Sequence, residues 1–129
     1  MAEHKVLGPV QLQVPPEPSL SRVLRLAAGG IASLAGFTID ETEDIKLAVS
    51  EVFLALLEYG IGQVVDMRFT VNDELFTVRG QTVVTSFNPE HPDLVVSRTV
   101  LAEVSSRSGI ELVDDSAHIW AEVAHTAIE

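Results

Sequence analysis

The segment from Asp40 to Gly60, DETEDIKLAVSEVFLALLEYG, constrains the fold more than any other part of this sequence. Apolar residues recur along it at helical spacing, which predicts one long helix. Asp40 is predicted to cap this helix, with Glu43 completing a capping box, and Gly60 is predicted to end it. The C-terminal half is apolar nearly all round, so we expect a central helix that packs on more than one side. Its middle carries one acidic residue, Glu51.

The composition indicates one acidic globular domain. The chain has 129 residues, 47% of them hydrophobic, which suffices for one core. Its net charge is −11 with eight Lys and Arg residues, too few for a basic face that binds nucleic acid or an anionic membrane. The acidity favours a basic protein partner or simply maintains solubility. The absence of cysteine, of an apolar run of roughly 18 residues and of a signal sequence predicts a cytoplasmic protein.

The pattern along the chain predicts the order β-α-α-β-β-(β)-α-β-β, after a flexible tail over residues 1–9. Residues 10–129 are predicted to form a single domain. The predicted strands cover 10–14, 65–71, 75–78, 82–87, 110–113 and 117–127. The predicted helices cover about 19–35, 40–60 and 94–107, with Gly109 ending the last. This order predicts an α+β two-layer sandwich, with three helices on one face of a mostly antiparallel sheet.

Two adjacent glycines, Gly29 and Gly30, lie inside the first predicted helix. A phosphate-binding loop would instead follow a strand and open a helix. We therefore interpret these glycines as a place where a second helix can approach closely.

Residues 14–52, VPPEPSLSRVLRLAAGGIASLAGFTIDETEDIKLAVSEV, closely resemble the start of bacterial anti-sigma-factor serine kinases. The resemblance is most specific in RLAAGGIASLAGFT and in EDIKLAVSE, and it weakens after residue 85. It implies the histidine-kinase-like (GHKL, Bergerat) ATPase fold. Such proteins bind a sigma factor, and many phosphorylate a serine on a STAS-domain anti-anti-sigma protein. That second activity requires ATP and magnesium.

The resemblance also implies where a nucleotide would bind, in three sequence boxes. In the family's first box a Glu acts as base and an Asn four residues later holds magnesium; here these positions are Glu51 and Ala55. In the second box an Asp accepts a hydrogen bond from the adenine amino group, and a Gly lets the backbone approach the base. Here Gln81 and Val83 take these places.

The third box is a glycine-rich opening of the last helix, where backbone N–H groups meet phosphate. Its place is taken by a segment that contains Ser97 and Thr99, and no glycine occurs between Gly80 and Gly109. The family's flexible ATP lid is reduced to a short turn around NPEHPD.

Because the metal ligand, the adenine-reading acid and the phosphate loop are all absent, we predict a degenerate nucleotide site that needs no cofactor. The expected function is that of an anti-sigma-like regulatory protein that binds a sigma factor or a STAS-domain protein. One alternative is a diverged serine kinase that uses ATP and magnesium, with Glu51 as its base. The other is a dimerisation or scaffold module. If the nucleotide site is degenerate, Glu51 is expected to be a solvated or capped residue that lines a collapsed pocket.

Trp120 is the candidate for partner binding, since it is the only Trp and lies on the strand face opposite Ile119 and Ala121. The alternative is that Trp120 packs under a neighbouring strand or a second copy of the chain. The four histidines, His4, His91, His118 and His125, are too dispersed in the sequence to predict a metal site.

Overall fold

The computed structural model of this chain describes residues 6–62, 64–72 and 74–125. Five strands and three helices follow one another in the predicted order. The strands are β1 (Leu7–Val14), β2 (Val65–Asn72), β3 (Leu75–Val83), β4 (Arg107–Val113) and β5 (Ser116–Ala124). The helices are α1 (Ser21–Leu34), α2 (Ile39–Leu57) and α3 (Val95–Val104), with short 3₁₀ turns at Pro18–Leu20 and Pro92–Leu94. The predicted fold class is confirmed.

The strands form one sheet in the order β1-β2-β3-β5-β4, with every neighbouring pair antiparallel. Side chains alternate between the two faces along each strand. On β5 the residues Ile119, Ala121 and Val123 are buried under the helices, whereas His118, Trp120 and Glu122 point to the opposite face. The predicted division of this strand into two faces is confirmed.

Helix α2 lies in the middle of the helical layer, where it packs against α1, α3, β3 and β5. Its residues Val49, Val52, Phe53 and Leu56 are fully buried. Gly29 of α1 faces α2, since a Cβ atom there would lie 2.8 Å from Cε of Lys46. The prediction of a central helix is therefore confirmed. The predicted close approach at Gly29 and Gly30 is limited to a contact of Gly29 with the Lys46 side chain, since a Cβ atom on Gly30 would meet nothing within 4 Å.

The predicted cap of α2 was wrong by two residues. Thr38, not Asp40, is the N-cap: it has an extended backbone, and its hydroxyl accepts a hydrogen bond from the N–H of Glu41. The Glu41 carboxylate accepts the N–H of Thr38 at 2.8 Å, which completes a capping box. Asp40 already lies inside the first turn, because the helix begins at Ile39. The helix ends at Leu57, before the predicted stop at Gly60.

Three other predicted boundaries also differ. The separate strand over 82–87 is absent, because β3 continues to Val83 and the chain then turns at Asn88. Helix α3 ends at Val104, since Ser105 is extended and the N–H of Ser106 donates to Glu122 of β5. Gly109 therefore lies within β4 instead of ending the helix. The predicted tail over 1–9 is too long, because β1 begins at Leu7, while residues 1–5 and 126–129 lie outside the described part.

No helix of the described residues is both long and apolar enough to cross a membrane.

Candidate functional site

A cleft of about 300 Å³ opens between α2 and α3, and we call it the α2–α3 cleft. Seven residues line it: Glu51, Leu54 and Ala55 from α2, Glu58 just after α2, Asp93 and Leu94 from the turn before α3, and Ser97 from α3. Glu51, Ala55 and Glu58 share one side of α2 because they are four and three residues apart. The cleft thus joins three residues singled out in the sequence, namely Glu51, Ala55 and Ser97.

The floor of the cleft is apolar where the family's metal ligand would lie. Ala55 is 5% exposed and its methyl group has no atom able to hold a cation. Leu94, 2% exposed, and Ser97, 8% exposed, complete the floor from the side of α3. Glu51 is half-buried at the wall, one helical turn before Ala55. A magnesium ion needs hard oxygen ligands, and on this wall only the Glu51 carboxylate occupies a family position.

The charge that lines the cleft is negative. Glu51, Glu58 and Asp93 contribute carboxylates, and no Lys or Arg is among the lining residues. Two of these charges also act on the nearby Tyr59. Burial raises the pKa of its hydroxyl, and the charges of Asp93 and Glu58 raise that pKa further. The α2–α3 cleft therefore favours cationic or neutral groups over anions.

The connection that precedes α3 is short and its amides are occupied. Only residues 85–91 separate the bridge at Val84 from the turn at Pro92–Leu94. Phe87 packs edge-on against Tyr59 at 5.0 Å between ring centroids, which holds this connection against the end of α2. The N–H of Asp93 donates to Nδ1 of His91, and the N–H of Leu94 donates to the His91 carbonyl. Pro92 has no N–H, so the turn Pro92–Leu94 presents no unoccupied amide to the cleft.

Gln81 and Val83, the residues in the place of the adenine box, do not line this cleft. They face the other side of the sheet, where a second cleft of about 370 Å³ opens. Its lining consists of Gln13, Ile61, Val64, Asp66, Gln81, Thr82, Val83 and Ser116. Asp66 is 8% exposed there and its Oδ2 accepts a hydrogen bond from Gln11 at 2.9 Å. The two halves of the aligned site therefore lie on opposite faces of the sheet.

Towards the helices, the space beside β3 is filled by side chains. Gly80 points to α2, and a Cβ atom there would lie 2.7 Å from Leu56, 2.8 Å from Met67 and 2.8 Å from Val52. Thr82, the next residue on this face, donates a hydrogen bond to the carbonyl of Val64 at 3.2 Å. This packing was not predicted from the sequence, because it depends on which side of β3 each residue faces.

The two remaining residues singled out in the sequence, Thr99 and Trp120, line neither of these two clefts. Thr99 is exposed on α3, outside the lining of the cleft, and its hydroxyl donates to the carbonyl of Val95. Trp120 lies half-buried on the open face of the sheet and covers Gly109 of β4, where a Cβ atom would come within 2.6 Å of the ring. The guanidinium of Arg107 lies 5.6 Å from the ring centroid. The Trp120 ring is thus held between a glycine and an arginine of β4.

A buried contact between a histidine and a carboxylate was missed in the sequence. Nδ1 of His125 lies 2.7 Å from Oε1 of Glu41, with side-chain exposures of 12% and 11%. The ring of Phe37 packs on His125 at 4.9 Å, so this contact joins the end of β5 to the start of α2. The two residues are 84 positions apart, and nothing local in the sequence links them. Within the described ranges, no three His, Cys, Asp or Glu residues are grouped to hold a metal ion.

Comparison with known proteins finds relatives that match between 33% and 63% of the chain. The chain is 45% identical over 42 residues to the serine-protein kinase RsbW of Bacillus subtilis. This match covers 33% of the chain and 26% of that protein. The chain is 34% identical over 85 residues to the serine-protein kinase RsbW of Listeria monocytogenes, which covers 63% of this chain and 54% of that protein. These matches thus span about a quarter to about half of the relatives' length. No protein-family model matches the chain.

The fold has a solved counterpart in the RsbU and RsbW domains of Rv1364c from Mycobacterium tuberculosis. The similarity has a TM-score of 0.69 at 13% identity and covers 92% of this chain and 32% of that one. At that identity the likeness shows the fold alone. The chain is thus similar in sequence to RsbW serine-protein kinases over part of their length, and it shares the fold of a solved chain that contains an RsbW domain.

Proposed function

We propose that this protein is an anti-sigma-like regulator that acts by binding other proteins and does not use a nucleotide. Its partners would be a sigma factor, a STAS-domain anti-anti-sigma protein, or both, as the family resemblance implies. The observation that carries the proposal is Ala55, whose buried methyl group stands where the family's magnesium-holding Asn would be. Phosphoryl transfer depends on a metal and on positioned donors, and this position supplies neither.

The charge of the α2–α3 cleft supports the same conclusion. Glu51, Glu58 and Asp93 would face a triphosphate with no lining Lys or Arg to offset the repulsion. Backbone amides at a helix N-terminus can bind phosphate, but in the turn Pro92–Leu94 before α3 the N–H groups of Asp93 and Leu94 are engaged with His91 and Pro92 has none. The residues present therefore do not fit Mg-ATP, and we derive no reaction step through it.

The packing around Gly80 argues against an adenine site beside α2. A Cβ atom on this glycine would lie within 2.8 Å of Val52, Leu56 and Met67, so these side chains occupy the space above it. A purine ring would have to displace at least one of these side chains from the core. The hydrogen-bonding residue that the alignment offers, Gln81, faces away from this region.

One observation favours the alternative of a diverged serine kinase. Glu51 keeps a carboxylate at the family's base position, on the wall of a cleft that is still open. That alternative predicts transfer of phosphate from ATP to a serine of a STAS-domain protein, and loss of the transfer in Glu51→Gln. We expect no transfer by either the wild type or this variant.

The proposal is tested by measuring binding of purified host sigma factors and STAS-domain proteins by biolayer interferometry, with and without Mg-ATP. We expect at least one of them to bind, with an affinity that Mg-ATP leaves unchanged. An affinity that changes more than about tenfold with Mg-ATP would contradict the nucleotide-free part of the proposal. Failure of every sigma factor and STAS-domain protein to bind would contradict the regulatory part.

A further inference from the structure

The second cleft lies at the end of the sheet where β1 and β3 finish and β2 and β5 begin, and we call it the sheet-end cleft. Its volume of about 370 Å³ falls within the range of small-molecule sites. Gln13 of β1, Asp66 of β2 and Gln81 of β3 form a polar row across it, because Asp66 pairs in register with both glutamines. Ile61 and Val64, which are 45% and 49% exposed, add an aliphatic wall.

Asp66 carries a carboxylate oxygen that the fold leaves without a partner. The residue is only 8% exposed. Its Oδ2 accepts a hydrogen bond from Nε2 of Gln11 at 2.9 Å and lies 3.6 Å from Nη2 of Arg68. Its Oδ1 is buried and has no hydrogen-bond partner among the described residues. A buried acceptor that stays unpaired costs stability, so a ligand that donates to this oxygen would recover that cost.

The lining of the sheet-end cleft selects the charge of a ligand. Asp66 is the one ionisable side chain among the described lining residues, so the cleft is negative and disfavours anions. A divalent cation needs several oxygen ligands, and no three His, Cys, Asp or Glu of the described ranges are grouped to hold one. The aliphatic wall instead suits an organic cation with an apolar body.

We propose that the sheet-end cleft binds an alkyl guanidinium, carried either by a free small molecule or by an arginine side chain. This planar group holds five N–H donors in a fork, so it can donate to Oδ1 of Asp66 and to a flanking glutamine oxygen at once. Gln13 is exposed, so its side chain can turn aside and admit the group. The alkyl chain then lies along Ile61 and Val64. An ammonium has its three donors on one atom and reaches fewer of these acceptors.

This inference does not depend on the proposed function, because the sheet-end cleft and the α2–α3 cleft share no lining residue. It is tested by titrating the isotope-labelled full chain with butylguanidine and following the backbone amide signals by NMR. We expect saturable shifts at Asp66 and Gln81 with a Kd of about 1 mM, the order for a ligand of about eight non-hydrogen atoms. Butylurea, the uncharged molecule of the same shape, should bind at least about tenfold more weakly, and butylamine about threefold more weakly.

Two variants and a matched control locate the site. Asp66→Asn keeps the shape of the side chain and removes its charge, so the Kd for butylguanidine should rise at least about tenfold. Gln81→Leu leaves the buried carboxylate in place and should raise this Kd about threefold. Glu111→Gln removes an exposed carboxylate that pairs with Arg79 outside the sheet-end cleft, so it should leave the Kd unchanged. The amide spectrum of each variant shows whether it is folded.

A capped peptide, acetyl-glycyl-arginyl-glycinamide, distinguishes the two sources of the guanidinium. Binding as tight as that of butylguanidine supports an arginine side chain of another protein as the ligand. Binding of butylguanidine alone supports a free small molecule.

Three results would overturn the inference. The absence of saturable shifts at Asp66 and Gln81 up to about 20 mM butylguanidine would show that no guanidinium reaches the buried oxygen. Equal binding of butylurea or butylamine would show that the cleft does not select a guanidinium. An affinity that Asp66→Asn leaves unchanged would place the bound molecule elsewhere.

Discussion

The start of α2 offers the sharpest test of how the fold is held together. Glu41 accepts the N–H of Thr38 at 2.8 Å and meets Nδ1 of His125 at 2.7 Å with the same oxygen, Oε1. Its side chain is 11% exposed, so its contacts form largely out of water. Asp40 and Glu43, which the sequence pattern favoured for the cap, are both exposed.

These contacts set the expected free energies of unfolding. Loss of an N-cap side chain costs about 1 kcal/mol, which is the expected cost of Thr38→Ala. Glu41→Ala removes the second half of the capping box and a charge-assisted contact, worth about 1.5 to 3 kcal/mol, so about 2 to 4 kcal/mol is expected in total. Asp40→Ala and Glu43→Ala should each cost under about 0.5 kcal/mol, because they lose only exposed interactions with the helix dipole or Lys46.

Urea unfolding, followed by far-UV circular dichroism and by the fluorescence of Trp120, measures these differences. In thermal unfolding each kcal/mol should lower the Tm of a chain this long by roughly 4 °C. A double-mutant cycle between Glu41→Ala and His125→Ala should show coupling of at least about 1 kcal/mol. If Asp40→Ala cost more than Thr38→Ala, or if the coupling were zero, this account of the junction would be refuted.

Three further predictions concern positions on the sheet. Gly80→Ala should destabilise the fold by about 1 to 3 kcal/mol in urea unfolding, since its Cβ would overlap Leu56, Met67 and Val52; a neutral effect would mean that space remains there. Gly109→Ala should displace the Trp120 ring and shift its fluorescence emission to longer wavelength, because the added Cβ falls within 2.6 Å of that ring; an unchanged spectrum would contradict the stacking. Burial lowers the pKa of His118, and Arg79 lowers it further although Glu111 opposes this. The neutral form is therefore favoured in the fold, so stability should be complete above the ordinary pKa of about 6.5 and fall as the pH drops below it. His118→Gln should flatten this part of the stability profile, and an unaltered slope would show that other groups cause it.

The fold was predictable because its signals are local and periodic. The long apolar pattern of α2 and the alternation in β2 and β5 each indicate an element without reference to the rest of the chain. The errors concerned boundaries of helices, because tertiary contacts determine where these helices begin and end. Thr38 displaces Asp40 as the cap because Glu41 is held in place by His125, 84 residues away. Helix α3 stops at Val104 because Ser106 pairs with Glu122 of β5.

The candidate site was predictable only in part. Glu51, Ala55 and Ser97 lie together because two of them share one face of α2 and the third opens the neighbouring helix. Gln81 and Val83 separate from them because alternate residues of a strand face opposite sides of the sheet, so a shift of one position in the alignment changes the face. The role of Trp120 in partner binding stays a prediction: the residue lies half-buried on the open face of the sheet, against Gly109 of β4.

Isothermal titration of the full chain with Mg-ATP tests the central claim most directly, because it asks whether the α2–α3 cleft binds a nucleotide at all. We expect Mg-ATP to bind no more tightly than about 1 mM. The reasons are the three carboxylates of the cleft, the methyl group of Ala55 and the amides that are occupied at His91. Titration of Ala55→Asn should give the same result, since restoring one ligand atom leaves the charge and the amides as they are. Micromolar binding of Mg-ATP by the wild type would contradict the account.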